Sequence, residues 1–138
     1  RIPGKIINIG SVTSFRGMYN VSAYASSKGG VIQMTKAFSN EFAPHGIQET
    51  AFVQGKYLRQ LFIRGHQLQF LIEADTLVPS DEALQNDRAY NDYILRGTPA
   101  GRWGTPEDLR GAAIFLASGA SDFVTGSSLI VDGGMLAT

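Results

Sequence analysis

The order of apolar and polar positions predicts short apolar strands separated by longer segments with helical spacing. Residues 5–9 read Lys-Ile-Ile-Asn-Ile between two glycines, which is typical of a buried parallel strand. Residues 127–131 read Ser-Ser-Leu-Ile-Val and end at Asp-Gly-Gly, so they predict a last strand. Residues 51–53 are a weaker strand candidate. The pattern therefore places three short strands along the chain.

Helical segments lie between these strands. Residues 23–42 have helical spacing and end before Pro44 and Gly46. A second helical region starts at Ser80 as its cap and continues through residues 87–95. Thr105-Pro106-Glu107-Asp108 opens a further helix that reaches residue 116. In the first helix, the face expected to be apolar is formed by Val31, Met34, Thr35, Phe38 and Phe42. This order of elements indicates an α/β fold, half of a doubly wound parallel sheet.

Composition excludes several classes of function. The 138 residues fit one domain, and 12 basic residues balance 12 acidic ones, so no nucleic-acid or anionic-lipid partner is expected. The absence of cysteine excludes disulfides and zinc–thiolate chemistry, and no metal site is predicted. No apolar run approaches the roughly 20 residues of a membrane helix. We therefore expect a cytoplasmic protein, and the first residue, Arg1, suggests that the chain begins within a longer one.

Tyr24 and Lys28 form the first candidate catalytic pair. Residues four apart lie on the same face of a helix, so the ammonium is placed near the phenol. A nearby cation favours the phenolate form, which suits a tyrosine for general acid–base catalysis. Ser11 ends the first strand, where α/β sheets place ligands, and its hydroxyl could bond the reacting oxygen. By itself, this pair is a weak signal, because most tyrosine–lysine pairs at this spacing lie on solvated helix faces.

Further motifs surround this pair. Ser11 stands thirteen residues before Tyr24, and residues 99–108 read Pro-Ala-Gly-Arg-Trp-Gly-Thr-Pro-Glu-Asp. Phe-Leu-Ala-Ser at 115–118, Val-Thr-Gly at 124–126 and Val-Asp-Gly-Gly at 131–134 follow. Together they resemble the classical short-chain dehydrogenase/reductase (SDR) family, and specifically the C-terminal catalytic half of its Rossmann-type domain. The segment 99–108 is similar to one common in the family's gluconate-type sugar-acid and polyol dehydrogenases.

The resemblance implies an NAD- or NADP-dependent oxidoreductase acting on a small hydroxy or keto substrate. Tyr24 would be the acid or base, Lys28 would assist it and hold the nicotinamide ribose, and Ser11 would polarise the substrate oxygen. Gly55 stands where the family has a glycine against the nicotinamide, so Tyr24, Lys28 and Gly55 are the expected cofactor contacts. The family also implies a homotetramer or homodimer.

The chain also departs from the family pattern. It contains no Gly-x-Gly-x-x-Gly phosphate turn, so the nucleotide-binding N-terminal half is expected to be missing and NAD cannot be told from NADP. Gln54 replaces the usual proline, and Glu49 falls in a predicted buried strand, where it needs a partner. Residues 4–48 and 82–138 resemble the family, whereas 49–81 diverge. Within that stretch, residues 55–80 are either a substrate loop or translated intron.

Three hypotheses follow from the sequence. The first is an SDR-type oxidoreductase that acts within a fuller chain. The second is an inactive fragment or pseudoenzyme that associates with SDR subunits. The third is an unrelated α/β protein in which Tyr24 and Lys28 are surface residues.

Overall fold

The computed structural model describes residues 4–55 and 81–137. Within them, the polypeptide forms three strands and four α-helices joined by short turns. The elements are β1 (Gly4–Ser11), α1 (Ser22–Phe42), β2 (Ile47–Gln54), α2 (Asp81–Asn86), α3 (Arg88–Arg96), α4 (Pro106–Ala117) and β3 (Ser128–Val131). Single 3₁₀ turns lie at Val12–Ser14, Ala43–His45 and Gly119–Ser121.

The strands of the described residues form a parallel sheet in the order β1-β2-β3. Ile9 is paired with Phe52, and the register continues until Ser11 stands beside Gln54. Gln54 in turn is paired with Val131 of β3. The register therefore brings the carboxyl ends of all three strands to one edge of the sheet, which is where parallel α/β sheets bind ligands.

Apolar side chains of β2 alternate between the two faces of this sheet. Phe52 packs with Leu109, Ala113 and Leu116 of α4 on one face. Ala51 and Val53 pack with Ile32 of α1 on the other. Because both faces of β2 are covered, its residues 49–53 are all buried. The strand that was weakest in the sequence is the central strand of the described sheet.

The face of α1 that is buried differs from the predicted one. Ile32, Thr35 and Ser39 are the buried residues of the helix, whereas Met34 and Phe38 are exposed in this chain. Of the predicted apolar positions, only Thr35 is buried. The polar residues of the buried face satisfy their hydroxyls on the helix itself, since Thr35 donates to the Val31 carbonyl and Ser39 to the Lys36 carbonyl.

The helical region before residue 96 is two helices rather than one. Asp87 interrupts the pattern with extended backbone, and its side chain accepts a hydrogen bond from the Tyr90 amide as the N-cap of α3. The predicted cap at Ser80 lies outside the described residues. So does the segment 55–80, apart from Gly55, for which the sequence left a substrate loop and translated intron as alternatives. No helix in the described part of the chain combines the length and apolarity needed to cross a membrane.

The start of α4 is confirmed as a capped helix. Pro106 occupies its first turn, and Thr105 and Asp108 form a capping box in which Asp108 accepts from the Thr105 amide at 2.7 Å. Arg102 donates two hydrogen bonds to the same carboxylate, at 2.7 and 2.8 Å. These bonds from Arg102, and then that from Thr105, hold the pKa of Asp108 well below its usual range. The motif at 99–108 thus fixes the entry into α4.

Candidate active site

Ser11 ends β1 at the edge of the sheet where the strands' carboxyl ends lie, and it opens the turn of residues 11–14, called here the serine turn. Ser11 is 8% exposed, and its Oγ accepts hydrogen bonds from the Thr13 amide at 3.3 Å and from the Thr13 hydroxyl at 3.0 Å. A serine hydroxyl has two acceptor positions and one donor. Because Ser11 Oγ accepts from N–H and O–H groups of the turn that follows it, the hydroxyl proton of Ser11 is left to donate to another oxygen. This is the property that polarising a substrate carbonyl requires.

Tyr24 and Lys28 occupy the first two turns of α1. The Lys28 ammonium lies 5.7 Å from the centroid of the Tyr24 ring and donates to the Ile9 carbonyl of β1 at 3.2 Å. The predicted proximity of the two side chains is therefore present. Tyr24 is half-buried, so its ring is accessible to a small molecule at this edge. A lysine on a fully solvated helix face would not be hydrogen-bonded to β1, the strand that ends at Ser11.

Ser14 connects the serine turn with α1. Its hydroxyl accepts from the Ser11 amide at 3.1 Å and donates to the Lys28 carbonyl at 2.8 Å. Sequence reasoning missed this residue. The available signal was the spacing of Ser11 and Ser14, because serines three apart at the start of a helical turn can cap one another's amides, as they do here.

Gly55 lies at the same edge, directly after β2. Its amide donates to the Val131 carbonyl at 3.1 Å, and a Cβ on it would lie 3.0 Å from Asp132 Cα. Close packing against the Asp132 backbone favours glycine here. The predicted contact of Gly55 with a nicotinamide therefore remains a prediction, and the packing gives an independent reason for the residue.

We expect Gly55→Ala to destabilise the chain by about 1–3 kcal/mol, because the new methyl group would lie only 3.0 Å from Asp132 Cα and the backbone would have to shift to accommodate it. Gly30→Ala is the matched control. Gly30 lies in α1, and a Cβ added to it would meet no atom within 4 Å, so alanine should stabilise by about 0.5–1 kcal/mol. Urea denaturation measures both. If both substitutions changed the free energy of unfolding by the same amount and in the same direction, the close approach of Gly55 to Asp132 would be contradicted.

Glu49 is a buried acid of β2. It is 1% exposed, and its Oε1 accepts a hydrogen bond from Asn8 Nδ2 at 2.7 Å. Asn8 also donates to Thr35 Oγ1 at 2.9 Å, so one amide joins β1, β2 and α1. The second carboxyl oxygen, Oε2, is buried without a hydrogen-bond partner among the described residues. The partner that the sequence required for Glu49 is therefore Asn8.

Comparison with known proteins identifies relatives of this chain. A model of the short chain dehydrogenase family matches residues 1–58, and a model described as enoyl-(acyl carrier protein) reductase matches residues 74–136. The 2-dehydro-3-deoxy-D-gluconate 5-dehydrogenase of Bacillus subtilis is 43% identical over 96% of the chain and 45% of its own length. The 5-keto-D-gluconate 5-reductase of Escherichia coli K12 is 39% identical over 99% of the chain and 46% of its own length.

A solved structure agrees with these relatives. The gluconate 5-dehydrogenase of Burkholderia cenocepacia, in complex with NADP and tartrate, superposes with a TM-score of 0.81 at 40% identity. The match covers 99% of this chain and 46% of that one. The chain is thus related to the short-chain dehydrogenases, a family of oxidoreductases. Its relatives within that family are sugar-acid dehydrogenases of the gluconate type, and it spans about half of their length.

One part of the sequence-based assignment is corrected by these matches. The chain was expected to be the C-terminal half of the SDR domain, with the nucleotide-binding half of the doubly wound sheet missing. The short chain dehydrogenase model instead matches from residue 1 onward, over β1, α1 and β2. The assignment to a C-terminal half was therefore wrong, both as part of the family resemblance and as part of the fold class. What the structure describes is an α/β segment with a three-stranded parallel sheet among residues 4–55 and 81–137.

Proposed function

We propose that this chain carries the proton-transfer site of an NAD(P)-dependent dehydrogenase or reductase of small hydroxy and keto substrates, of the sugar-acid class. The observation that carries the proposal is the placement of Lys28 between the Tyr24 ring and the Ile9 carbonyl, next to the end of β1. This fixes an ammonium beside a half-buried phenol at the ligand-binding edge of a parallel sheet. The relatives' activities support the same class of reaction.

Each residue has a defined role in this proposal. Ser11 donates its hydroxyl proton in a hydrogen bond to the substrate oxygen, which polarises the carbonyl. Tyr24 transfers its proton to that oxygen in reduction and accepts a proton from the alcohol in oxidation. Lys28 stabilises the phenolate that remains and, with Tyr24, binds the ribose hydroxyls of the cofactor. A bound nicotinamide supplies or accepts the hydride, which no side chain can do. Cytoplasmic location and a homo-oligomeric state belong to the same proposal.

An open cleft beside the serine turn suits an acidic substrate. A cavity of about 430 Å³ is lined by Phe15, Arg16, Ile130 and Leu136. Arg16 reaches the Met135 carbonyl through a long bond of 3.4 Å, so its guanidinium has further donors for a carboxylate. A sugar acid combines a carboxylate for this cation with a carbonyl for Ser11.

The test uses the purified chain with NADPH or NADH, followed by nicotinamide fluorescence and then by absorbance after addition of 5-keto-D-gluconate. We expect saturable binding of one dinucleotide and its oxidation only in the presence of the keto acid. Binding of neither cofactor, with no turnover, would overturn the proposal for this chain.

A second candidate is a non-catalytic chain that associates with SDR subunits. The chain spans about half of the relatives' length, and its sequence contains no Gly-x-Gly-x-x-Gly turn. Under this alternative, light scattering would show association of the chain with itself or with a related dehydrogenase. Neither cofactor binding nor a rate that depends on Tyr24 would then be measured.

A further inference from the structure

Ser14 lies between the two halves of the proposed catalytic site. The segment from Phe15 to Val21 joins them, and α1 begins at Ser22 without a side-chain cap on its N-cap residue, Val21. Local sequence therefore does little to fix where α1 starts relative to β1. A contact that spans this segment has to set the position of Tyr24 and Lys28 relative to Ser11.

The hydroxyl of Ser14 makes such a contact with short, well-defined bonds. It accepts from the Ser11 amide at 3.1 Å and donates to the Lys28 carbonyl at 2.8 Å, so a single oxygen joins the backbones of both residues. A Cβ added to Gly29 would lie 3.9 Å from the carbonyl oxygen of Ser14, which places the turn directly against α1. Two further hydrogen bonds join β1 to α1, from the Lys28 ammonium to the Ile9 carbonyl and from Asn8 to Thr35, but neither reaches the turn that follows Ser11.

We propose that Ser14 is a positioning residue that sets the distance between the Ser11 hydroxyl and the Tyr24–Lys28 pair. It touches neither substrate nor cofactor in this scheme, and it acts through the backbones of Ser11 and Lys28. The inference rests on the proposed function for its catalytic consequence. Its structural part, the link between the turn and α1, is independent of any activity.

The central variant is Ser14→Ala, which removes the bridging oxygen and leaves the backbone intact. Ser14→Thr retains the hydroxyl and serves as the conservative rescue. Ser27→Ala is the matched control, because the Ser27 hydroxyl also donates to a carbonyl at 2.8 Å, but within α1 and not between elements.

The first readout is amide hydrogen exchange at Ser11, followed by NMR. Loss of the Ser14 acceptor should accelerate exchange at Ser11 by about tenfold or more, because the amide would exchange through local opening. Ser14→Thr and Ser27→Ala should exchange as the unmodified chain does. Unchanged exchange at Ser11 in Ser14→Ala would overturn the proposal whether or not the chain is active.

The second readout is steady-state kinetics. Misplacement of reacting groups lowers turnover more than binding, so Ser14→Ala should reduce kcat about 10- to 100-fold with little change in KM. Ser14→Thr should recover most of that loss. Faster exchange with an unchanged kcat would overturn the positioning role. Absence of turnover in the unmodified chain would instead refute the proposed function, and the exchange at Ser11 would still decide whether Ser14 links the two elements.

Discussion

Tyr24→Phe is expected to lower kcat by about 10²–10⁴-fold, because it deletes the hydroxyl that is proposed to transfer the proton to and from the substrate oxygen. The ring remains, so its packing and its contact with the Lys28 ammonium at 5.7 Å are retained. The free energy of unfolding should therefore change little. Dinucleotide affinity should fall only by the loss of one hydrogen bond, about 0.5–1.5 kcal/mol.

Tyr19→Phe is the matched control for this prediction. Tyr19 is 90% exposed and lies in the segment that precedes α1, so removal of its hydroxyl should leave kcat and KM unchanged. Rates are compared by stopped-flow or steady-state oxidation of the reduced nicotinamide. Equal rates for Tyr24→Phe and the unmodified chain would exclude Tyr24 as the acid and favour the non-catalytic alternative.

Asn8→Ala is expected to destabilise the chain by about 3 kcal/mol. Asn8 Nδ2 makes the hydrogen bond, at 2.7 Å, that satisfies the buried Glu49 carboxyl. Without it, both carboxyl oxygens would be buried with no partner among the described residues, and leaving a buried polar group unsatisfied costs about 1–3 kcal/mol. The same substitution also removes the bond to Thr35 that joins β1 to α1.

The double variant Asn8→Ala/Glu49→Val should recover most of this loss. Glu49→Val alone should be close to neutral, because it removes a buried carboxyl group that already has one oxygen without a partner, while Asn8 Nδ2 keeps its bond to Thr35 Oγ1. The coupling energy between the two positions should be about 2 kcal/mol, which lies in the range measured for residues in contact. Urea denaturation at neutral pH measures the free energy of unfolding of the unmodified chain, of each single variant and of the double variant.

An exposed acid supplies the control for this cycle. Glu41 lies on the solvent side of α1, so Glu41→Val combined with Asn8→Ala should give additive effects. A coupling near zero for Asn8 and Glu49 as well would show that their hydrogen bond does not stabilise the fold.

The strands were predictable because a strand covered on both faces needs an almost continuous apolar run. Residues 5–9 and 127–131 carry such runs, and the structure places β1 and β3 there. β2 was the weakest prediction, because Gln48, Glu49 and Thr50 interrupt its pattern. What compensates for Glu49 is Asn8, 41 residues earlier in the chain. No local pattern could reveal that pairing.

For the helices, the positions along the chain were predictable, but the buried face of α1 was not. Spacing located α1 and α4 and the cap of α4, since these depend on residues close in sequence. Spacing did not identify the buried face of α1, because the sheet against which it packs selects Ile32, Thr35 and Ser39. The break at Asp87 was missed because the cap uses a side chain that a continuous helix could equally present to solvent.

By itself, the sequence determined the α/β class, the Tyr24–Lys28 spacing and the place of Ser11 at the end of a strand, because each depends on backbone periodicity over a few residues. It did not determine that Lys28 reaches Ile9, that Ser14 joins the serine turn to α1, or that Asn8 satisfies Glu49. Those contacts join residues 14 to 41 positions apart. They exist only after the sheet has set its register and α1 has packed across it, so only the tertiary structure could decide them.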